Sequence, residues 1–309
     1  MKIIYFGHNI RGYVCLRALF MNGFDVKAVV LQAVAGRNRY DEETSKLCMR
    51  RNIKRFIQKD PNDAKFISRI SALKPDIFVL AGYGGILGRR ILSVPALMSI
   101  NLHGGKLPDF RGASVINWQI LKGKKRIGLS IIEVDKGIDT GPILCKREFP
   151  LSENEDFNDA LAKSLELFPG MLMETLRKIE NNKLKKIKQA PGEGSYYFKR
   201  HPKDGKIDWR YMSAKEIVNL TRAVAPPACP GAFSFLKNRK IILAKALLIK
   251  KRGFCGEPGR VSNLSAENGK KGRLVFARDG AVLIEKIFEE KKRKILYAAG
   301  FIKTGDLLT

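Results

Sequence analysis

Three histidines, His8, His103 and His201, serve all 309 residues. Histidine is the side chain whose ordinary pKa best suits proton transfer near neutrality, so acid–base chemistry has few places to sit. His103 has the most informative surroundings. It closes the run Ser-Ile-Asn-Leu-His and is followed by Gly104-Gly105. Asn101 stands two residues earlier, and period-two alternation puts both side chains on one face of a strand, roughly 7 Å apart. An amide donor and an imidazole would then face one reacting group. A structural Asn beside a satisfied core His is the plain alternative. Residues 135–141 form a Gly-punctuated loop after another β-rich run and add two carboxylates, Asp135 and Asp139. His8 follows the first strand and either lines a cleft or has a structural use. His201, beside Pro202, has no chemical context.

The elements that must position these groups alternate in the first half. Ile3 to Phe6, Val26 to Leu31, Ile77 to Ala81 and Ser99 to Leu102 read as strands. Helical spacing appears at Val14, Leu16, Leu19 and Phe20, at Phe66, Ile67, Ile70 and Leu73, and in a short helix from Ile86 to Leu92. This βαβα rhythm predicts an α/β, Rossmann-like, mostly parallel sheet with helices on both faces, whose ligands sit outside the carboxyl ends of the strands. Ile127 to Val134 and Ile143 to Phe149 read as a hairpin-like pair added to that sheet. Ser152 with Glu155 reads as a capping box opening a helix that Pro169 kinks or ends. Residues 191–206, with Pro191, Gly192 and Gly194, read as a linker. A helix from Ser213 to Val224 follows. Then come short strands at Ile241–Leu243, Leu247–Ile249, Arg260–Val261, Leu274–Phe276 and Val282–Ile284, the pattern of a small OB-like β-barrel. The expected domains are residues 1–190 and 207–309.

Composition narrows the function class. Hydrophobic residues make up 45% and charged residues 28%, values of a globular chain. No apolar run approaches the roughly 18 residues of a membrane helix, and the N-terminus turns polar too soon for a signal peptide, so no membrane insertion and a cytoplasmic location are expected. Cys15, Cys48, Cys145, Cys229 and Cys255 are scattered and never spaced CxxC, which speaks for free thiols and no metal. No GxxxxGK[ST] loop is present, and Gly7 and Gly12 do not make GxGxxG, so a tight turn explains Gly7 better than a dinucleotide. Lys+Arg 58 against Asp+Glu 30 leaves +28. Such an excess implies an anionic partner, or a proteome basic for other reasons. Its clusters, Arg50-Arg51 with Lys54-Arg55, residues 122–126, 183–188, 250–252 and 291–294, are scattered and read mostly as solvated faces.

The motifs are more specific than the composition. NLHGGKLPDFRG at 101–112, NW at 117–118 and DKGIDTGPIL at 135–144 resemble the folate-dependent formyltransferase family, which takes formyl from 10-formyltetrahydrofolate. YYFKRHPKDGKIDW at 196–209 and RAVAPPACPGAFS at 222–234 resemble the start of that family's C-terminal domain, and DGAVLI at 279–284 its late strands. The resemblance implies a catalytic set of Asn101, His103 and Asp139. Asn101 would hydrogen-bond the formyl oxygen, His103 would handle the proton, and Asp139 would raise the His103 pKa. It implies folate contacts at Gly85, Ile86 and Leu87, at Gly105, Lys106, Leu107 and Pro108, and at Asp135, Lys136, Gly137 and Ile138, largely through backbone groups. The chain departs from the Ser-Leu-Leu-Pro of many members at Gly105-Lys106-Leu107-Pro108. Arg111 and Trp118 are candidates for substrate binding; Arg111 is equally suited to buttress the loop. Tyr196-Tyr197-Phe198 would stack on a base or pack between domains.

Two acceptor amines fit. Asn117-Trp118 and the 196–234 motifs resemble the branch acting on nucleotide-linked 4-amino sugars. The charge and the barrel suit initiator methionyl-tRNA, and Ala35-Gly36-Arg37 faintly resembles that branch's basic loop, although Gln32 to Gly36 is too short and lacks Pro-Asp-Arg-Pro. The expectation favours the amino sugar. A non-catalytic RNA-binding protein on the same fold is the third reading, against which the intact Asn101, His103 and Asp139 stand.

Overall fold

The computed structural model describes residues 1–33, 39–190, 192–249, 256–262 and 272–309. The expectations for Ala35-Gly36-Arg37, Pro191, residues 250–252 and Cys255 lie outside these. The described chain contains β1 (Lys2–Gly7), α1 (Asn9–Met21), β2 (Asp25–Gln32), α2 (Arg39–Arg50), β3 (Lys54–Gln58), α3 (Ala64–Ser71), β4 (Ile77–Ala81), α4 (Arg89–Leu92), β5 (Met98–His103), β6 (Arg111–Gly112), α5 (Val115–Leu121), β7 (Arg126–Glu133), β8 (Ile143–Pro150) and α6 (Phe157–Glu180). It continues with β9 (Tyr196–Tyr197), α7 (Ala214–Ala223), β10 (Ala232–Leu236), β11 (Arg239–Leu248), β12 (Arg273–Ala277), β13 (Gly280–Glu289) and β14 (Lys294–Tyr297). The chain divides into two compact units, residues 1–112, 128–149 and 162–197 in one, and 113–127, 150–161 and 198–309 in the other.

The first unit is built on a seven-stranded sheet in the order β3-β2-β1-β4-β5-β7-β8. β1, β2, β3, β4 and β5 pair in parallel, whereas β7 runs antiparallel to β5, with His103 opposite Ser130. Strands buried on both faces need apolar residues throughout, which is why Ile3, Ile4, Tyr5 and Phe6 are all buried. Ile4, Phe6, Val30 and Phe78 join Phe66, Ile67 and Ile70 of α3 and Ile91 of α4 in one core. The Tyr5 hydroxyl donates to the Gly12 carbonyl of α1 (2.8 Å).

Several local expectations are corrected. The helix placed over Ile86–Leu92 begins only at Arg89, because the Asn62 side chain takes the preceding backbone: its Oδ1 accepts from Gly88 N–H (2.6 Å) and its Nδ2 donates to Ile86 O (2.9 Å). The Ser152–Glu155 bond forms as a separate turn (2.7 Å), and Asp156 accepts from Asn158 N–H (2.7 Å) at the start of α6 instead. Pro169 does not end α6, which runs 24 residues through it. One missing N–H costs about 3 kcal/mol, and the buried Phe168, Met171, Leu172 and Leu176 around it outweigh that loss. The linker reading omits β9, which pairs in parallel with β6, and the short 3-10 turn Pro202–Gly205. The strand β3 was concealed by its charges. Lys54 and Arg55 are exposed on an edge while Phe56 is buried, a pattern that keeps an edge from pairing further.

In the second unit, Ser213 caps α7 as its spacing to Glu216 predicts, each side chain meeting the other's backbone N–H (3.1 and 2.8 Å). The expected barrel is a curled antiparallel sheet ordered β10-β11-β13-β12, with β14 beside the far half of β13. Ile241–Leu243 and Leu247 belong to one continuous strand, β11, and β10 and β14 were not foreseen. Bridges from Leu308 to Leu236 and from Leu307 to Arg260 tie the C-terminus to the curl.

Candidate active site

Parallel β4 and β5 end side by side, so residues 82–88 and 104–110 emerge from the same edge of the sheet. Asn101 and His103 share one face of β5, as alternation requires. The third member arrives by a less direct route. After β7, the Val134 N–H donates to Ser99 O (2.7 Å), beside the start of β5. The loop then turns back, and Asp139 meets both residues: Asn101 Nδ2 donates to Asp139 Oδ1 (3.4 Å) and His103 Nδ1 lies 3.4 Å from Asp139 Oδ2. Asp139 Oδ2 also accepts from Gly112 N–H (2.9 Å). Asp139 has φ +54°, a left-handed conformation that costs a non-glycine residue on the order of 1–2 kcal/mol and persists only when its surroundings impose it.

His103 is 5% exposed. Its Nε2 contacts the Phe110 carbonyl oxygen at 2.5 Å, so acceptors face both ring nitrogens. Burial pushes the imidazole below its ordinary value near 6.5, Asp139 and the Phe110 carbonyl pull it up, and Arg11 adds to the downward side. Asp139 thus acts in the direction expected of an anion, but burial outweighs it and the net shift is downward. The neutral ring is a base at neutral pH, and its partners are arranged to receive it once it is protonated.

The Gly-rich turn has its own reasons. A Cβ at Gly105 would strike the Phe110 carbonyl oxygen and the His103 ring, so only glycine lets the chain pass. Ser130 Oγ donates to Gly105 O (2.8 Å) and accepts from Leu107 N–H (3.3 Å). Lys106 reaches outward to Glu148 (2.8 Å). In the next loop, Asp135 Oδ1 accepts from Gly137 N–H (2.9 Å) and Thr140 Oγ1 (2.7 Å), while Ile138 is exposed.

Arg111 is buried, and its guanidinium is turned toward residues 189–193. It donates through Nε and Nη2 to Gln189 Oε1 (3.0 and 2.8 Å) and through Nη1 to Glu193 O (2.7 Å). Tyr197 stacks on Phe110 with centroids 5.1 Å apart, and the Tyr196 hydroxyl donates to Ile138 O (3.0 Å). Trp118 lies in the second unit, where its Nε1 donates to Phe198 O (2.9 Å) and the Arg200 guanidinium lies over its ring. His8 Nδ1 lies 2.8 Å from Asp41 Oδ2 and ties the start of α1 to α2. His201 caps the 3-10 turn that follows it. Sequence reasoning missed Gln189, the Gly112 N–H and the Phe110 carbonyl. Backbone groups carry no side-chain signature, and Gln189 lies in a lysine-rich stretch with nothing local to mark it.

A family model described as formyl transferase matches residues 15–176, and one described as formyl transferase, C-terminal domain, matches residues 199–304. The chain belongs to the formyl transferase family. It is therefore a formyl-transferring enzyme. Among this formyl transferase's relatives, the bifunctional polymyxin resistance protein ArnA of Wigglesworthia glossinidia brevipalpis is 37% identical over 80% of the chain, which spans only 38% of ArnA's own length. A methionyl-tRNA formyltransferase of Caldanaerobacter subterraneus subsp. tengcongensis is 32% identical over 96% of the chain and 94% of its own. The solved structure of WlaRD, a sugar 3N-formyl transferase, has a TM-score of 0.65 and 20% identity over 92% of this chain and 96% of its own, a likeness of fold.

The residues of this formyl transferase fit a flat heteroaromatic donor. The Tyr83 hydroxyl is buried without a partner, and Gly85 and Leu87 have no backbone partner among the described residues. Ile86 beside them is 72% exposed. Unpaired polar groups next to exposed apolar side chains are what a ring with polar edges would cover. Among the described residues no group of metal-ligating side chains is present, and no helix is long and apolar enough to cross a membrane.

Proposed function

We propose that this enzyme moves a formyl group from 10-formyltetrahydrofolate to a primary amine, with Asn101, His103 and Asp139 as its reacting set. The observation that carries this is the meeting of all three side chains at Asp139, two from one strand and the third from a loop 38 residues beyond Asn101. The donor supplies a formyl carbon bound to a nitrogen that leaves. Asn101 has a second Nδ2–H beyond the one aimed at Asp139, and it donates to the formyl oxygen as that oxygen turns negative. His103, neutral before reaction, takes the proton the attacking amine must lose and gives it to the leaving nitrogen. Asp139 holds the imidazolium between those steps. Backbone groups of Gly85, Ile86, Leu87, Gly105, Lys106, Leu107, Pro108, Asp135, Lys136, Gly137 and Ile138 line the donor.

The acceptor we favour is a nucleotide-linked 4-amino sugar. In the sequence, the stretch Gln32 to Gly36 is short for a basic RNA-binding loop and lacks Pro-Asp-Arg-Pro. Initiator methionyl-tRNA is the second reading, favoured by the near full-length methionyl-tRNA formyltransferase relative and by the net charge of +28.

The test offers 10-formyltetrahydrofolate with charged initiator tRNA and, in parallel, with a panel of nucleotide-linked amino sugars. Formylation of a sugar that His103→Ala and Asp139→Ala nearly abolish is the expected result. Formylation of tRNA alone would replace the acceptor; undiminished turnover in both variants would sink the reacting set.

A further inference from the structure

We infer that Gln189 is a positioning residue that sets the catalytic geometry of Asp139. The inference rests on the reading of Asn101, His103 and Asp139 given above. Gln189 is half-buried, and its amide is used at both ends. Nε2 donates to the carbonyl oxygens of Asp139 (2.9 Å) and Gly141 (2.7 Å). Oε1 accepts from Nε and Nη2 of Arg111 (3.0 and 2.8 Å). One side chain therefore clamps the loop that carries Asp139 to the segment that ends in Gly112.

Both clamped parts act on the same carboxylate. Asp139 is held at φ +54°, left-handed backbone that aspartate tolerates better than most side chains but still at a cost, and the Gln189 bond to its carbonyl fixes the peptide on its C-terminal side. Arg111 is the residue before Gly112, whose N–H donates to Asp139 Oδ2. Gln189 thus places the Asp139 backbone with one group and, through Arg111, the donor that orients its carboxylate with the other. Its own backbone is anchored two residues earlier, where Ile187 and Ile143 exchange N–H···O bonds (2.8 and 2.9 Å) beside the start of β8. Arg111 is pinned separately by its N–H to Ser195 O (2.9 Å) and by Tyr196 beneath its guanidinium.

An amide is required by the chemistry of the four contacts. The carbonyls of Asp139 and Gly141 need a donor, and the guanidinium needs an acceptor. Glutamate keeps the second and loses the first; leucine of similar size loses both; asparagine is one methylene too short to reach both.

The test uses the whole enzyme with Gln189→Glu, Gln189→Leu and Asp139→Ala. Gln189→Glu keeps an acceptor for Arg111 but sets a carboxylate oxygen against the carbonyls of Asp139 and Gly141, so its melting temperature is measured alongside and turnover is read well below it. It should lose kcat by roughly ten- to a hundredfold with the donor and acceptor KM little changed, because misplaced reacting groups lower the rate without weakening binding. Gln189→Leu should lose kcat at least as much. It should also move the acidic limb of kcat/KM to lower pH, since a looser Asp139 pulls the His103 pKa up less. Wild-type kcat in Gln189→Glu and an unmoved limb in Gln189→Leu, with Asp139→Ala inactive, would overturn the role of Gln189 alone. Wild-type turnover in Asp139→Ala would overturn the reading beneath it as well.

Discussion

Asn101 and His103 carry opposite electrical tasks two residues apart on one strand. The amide meets a charge that grows during reaction, so Asn101→Ala should lower kcat by about 10²–10³, the usual cost of one oxyanion donor, while leaving donor affinity nearly intact. Single-turnover assays separate the two. His103 is shifted the other way from a surface histidine. Burial holds its pKa below 6.5, so the neutral, reactive form persists to lower pH than usual. The acidic limb of kcat/KM is expected below pH 6.5, and a limb above that value would contradict the burial argument. The sign for stability follows from the same shift. The unfolded chain takes up this proton first, so the contribution of His103 to stability is present above 6.5 and is lost as pH falls below it.

At the level of elements, the site is a set of loops made rigid by residues that do no chemistry. Ser130 pins the turn after β5, Asn62 pins residues 86–88, and Gly105 leaves room for the His103 ring. A methyl at position 105 must displace the Phe110 carbonyl or the imidazole. Gly105→Ala should therefore destabilise the fold by about 1–3 kcal/mol and depress kcat more than KM. A variant with wild-type melting and wild-type kcat would refute the close approach. In α6 the prediction runs the other way. Pro169 leaves one helical bond unmade, so Pro169→Ala should raise stability by about 2 kcal/mol in a denaturant titration, less whatever the freer unfolded chain regains.

Across the whole molecule the charge dominates. Even with every carboxylate paired, 28 cations would stand without an acidic partner. Many carboxylates are paired: Glu174 bridges Arg147 and Lys178, and Glu133 meets Lys186. Both proposed acceptors are anionic, but they differ in how many phosphates they present. With tRNA, the acceptor KM should rise steeply between low and moderate salt, because each neutralised phosphate releases counterions. With a nucleotide-linked sugar the dependence should be shallow. Measuring KM over a salt series separates the two with one preparation of enzyme.

The sequence by itself determined the alternation of strands and helices, the shared face of Asn101 and His103, and the glycine-rich turns beside them. These are local matters, written in periodicity and in residues such as Gly105 that admit few backbones. It also determined the family, through motifs spread over both halves of the chain. The tertiary structure decided what depends on distant partners. Asp139 lies beside His103 only because a loop that starts next to Ser99 folds back. Arg111 faces Gln189, 78 residues away. Pro169 sits within a helix because burial around it outweighs a missing bond. Lys54 and Arg55, read as a charged surface, are the edge strand of the sheet. Even the set Asn101, His103 and Asp139 changed on folding, since an anion beside a histidine predicts a raised pKa and only the depth of burial reverses the sign.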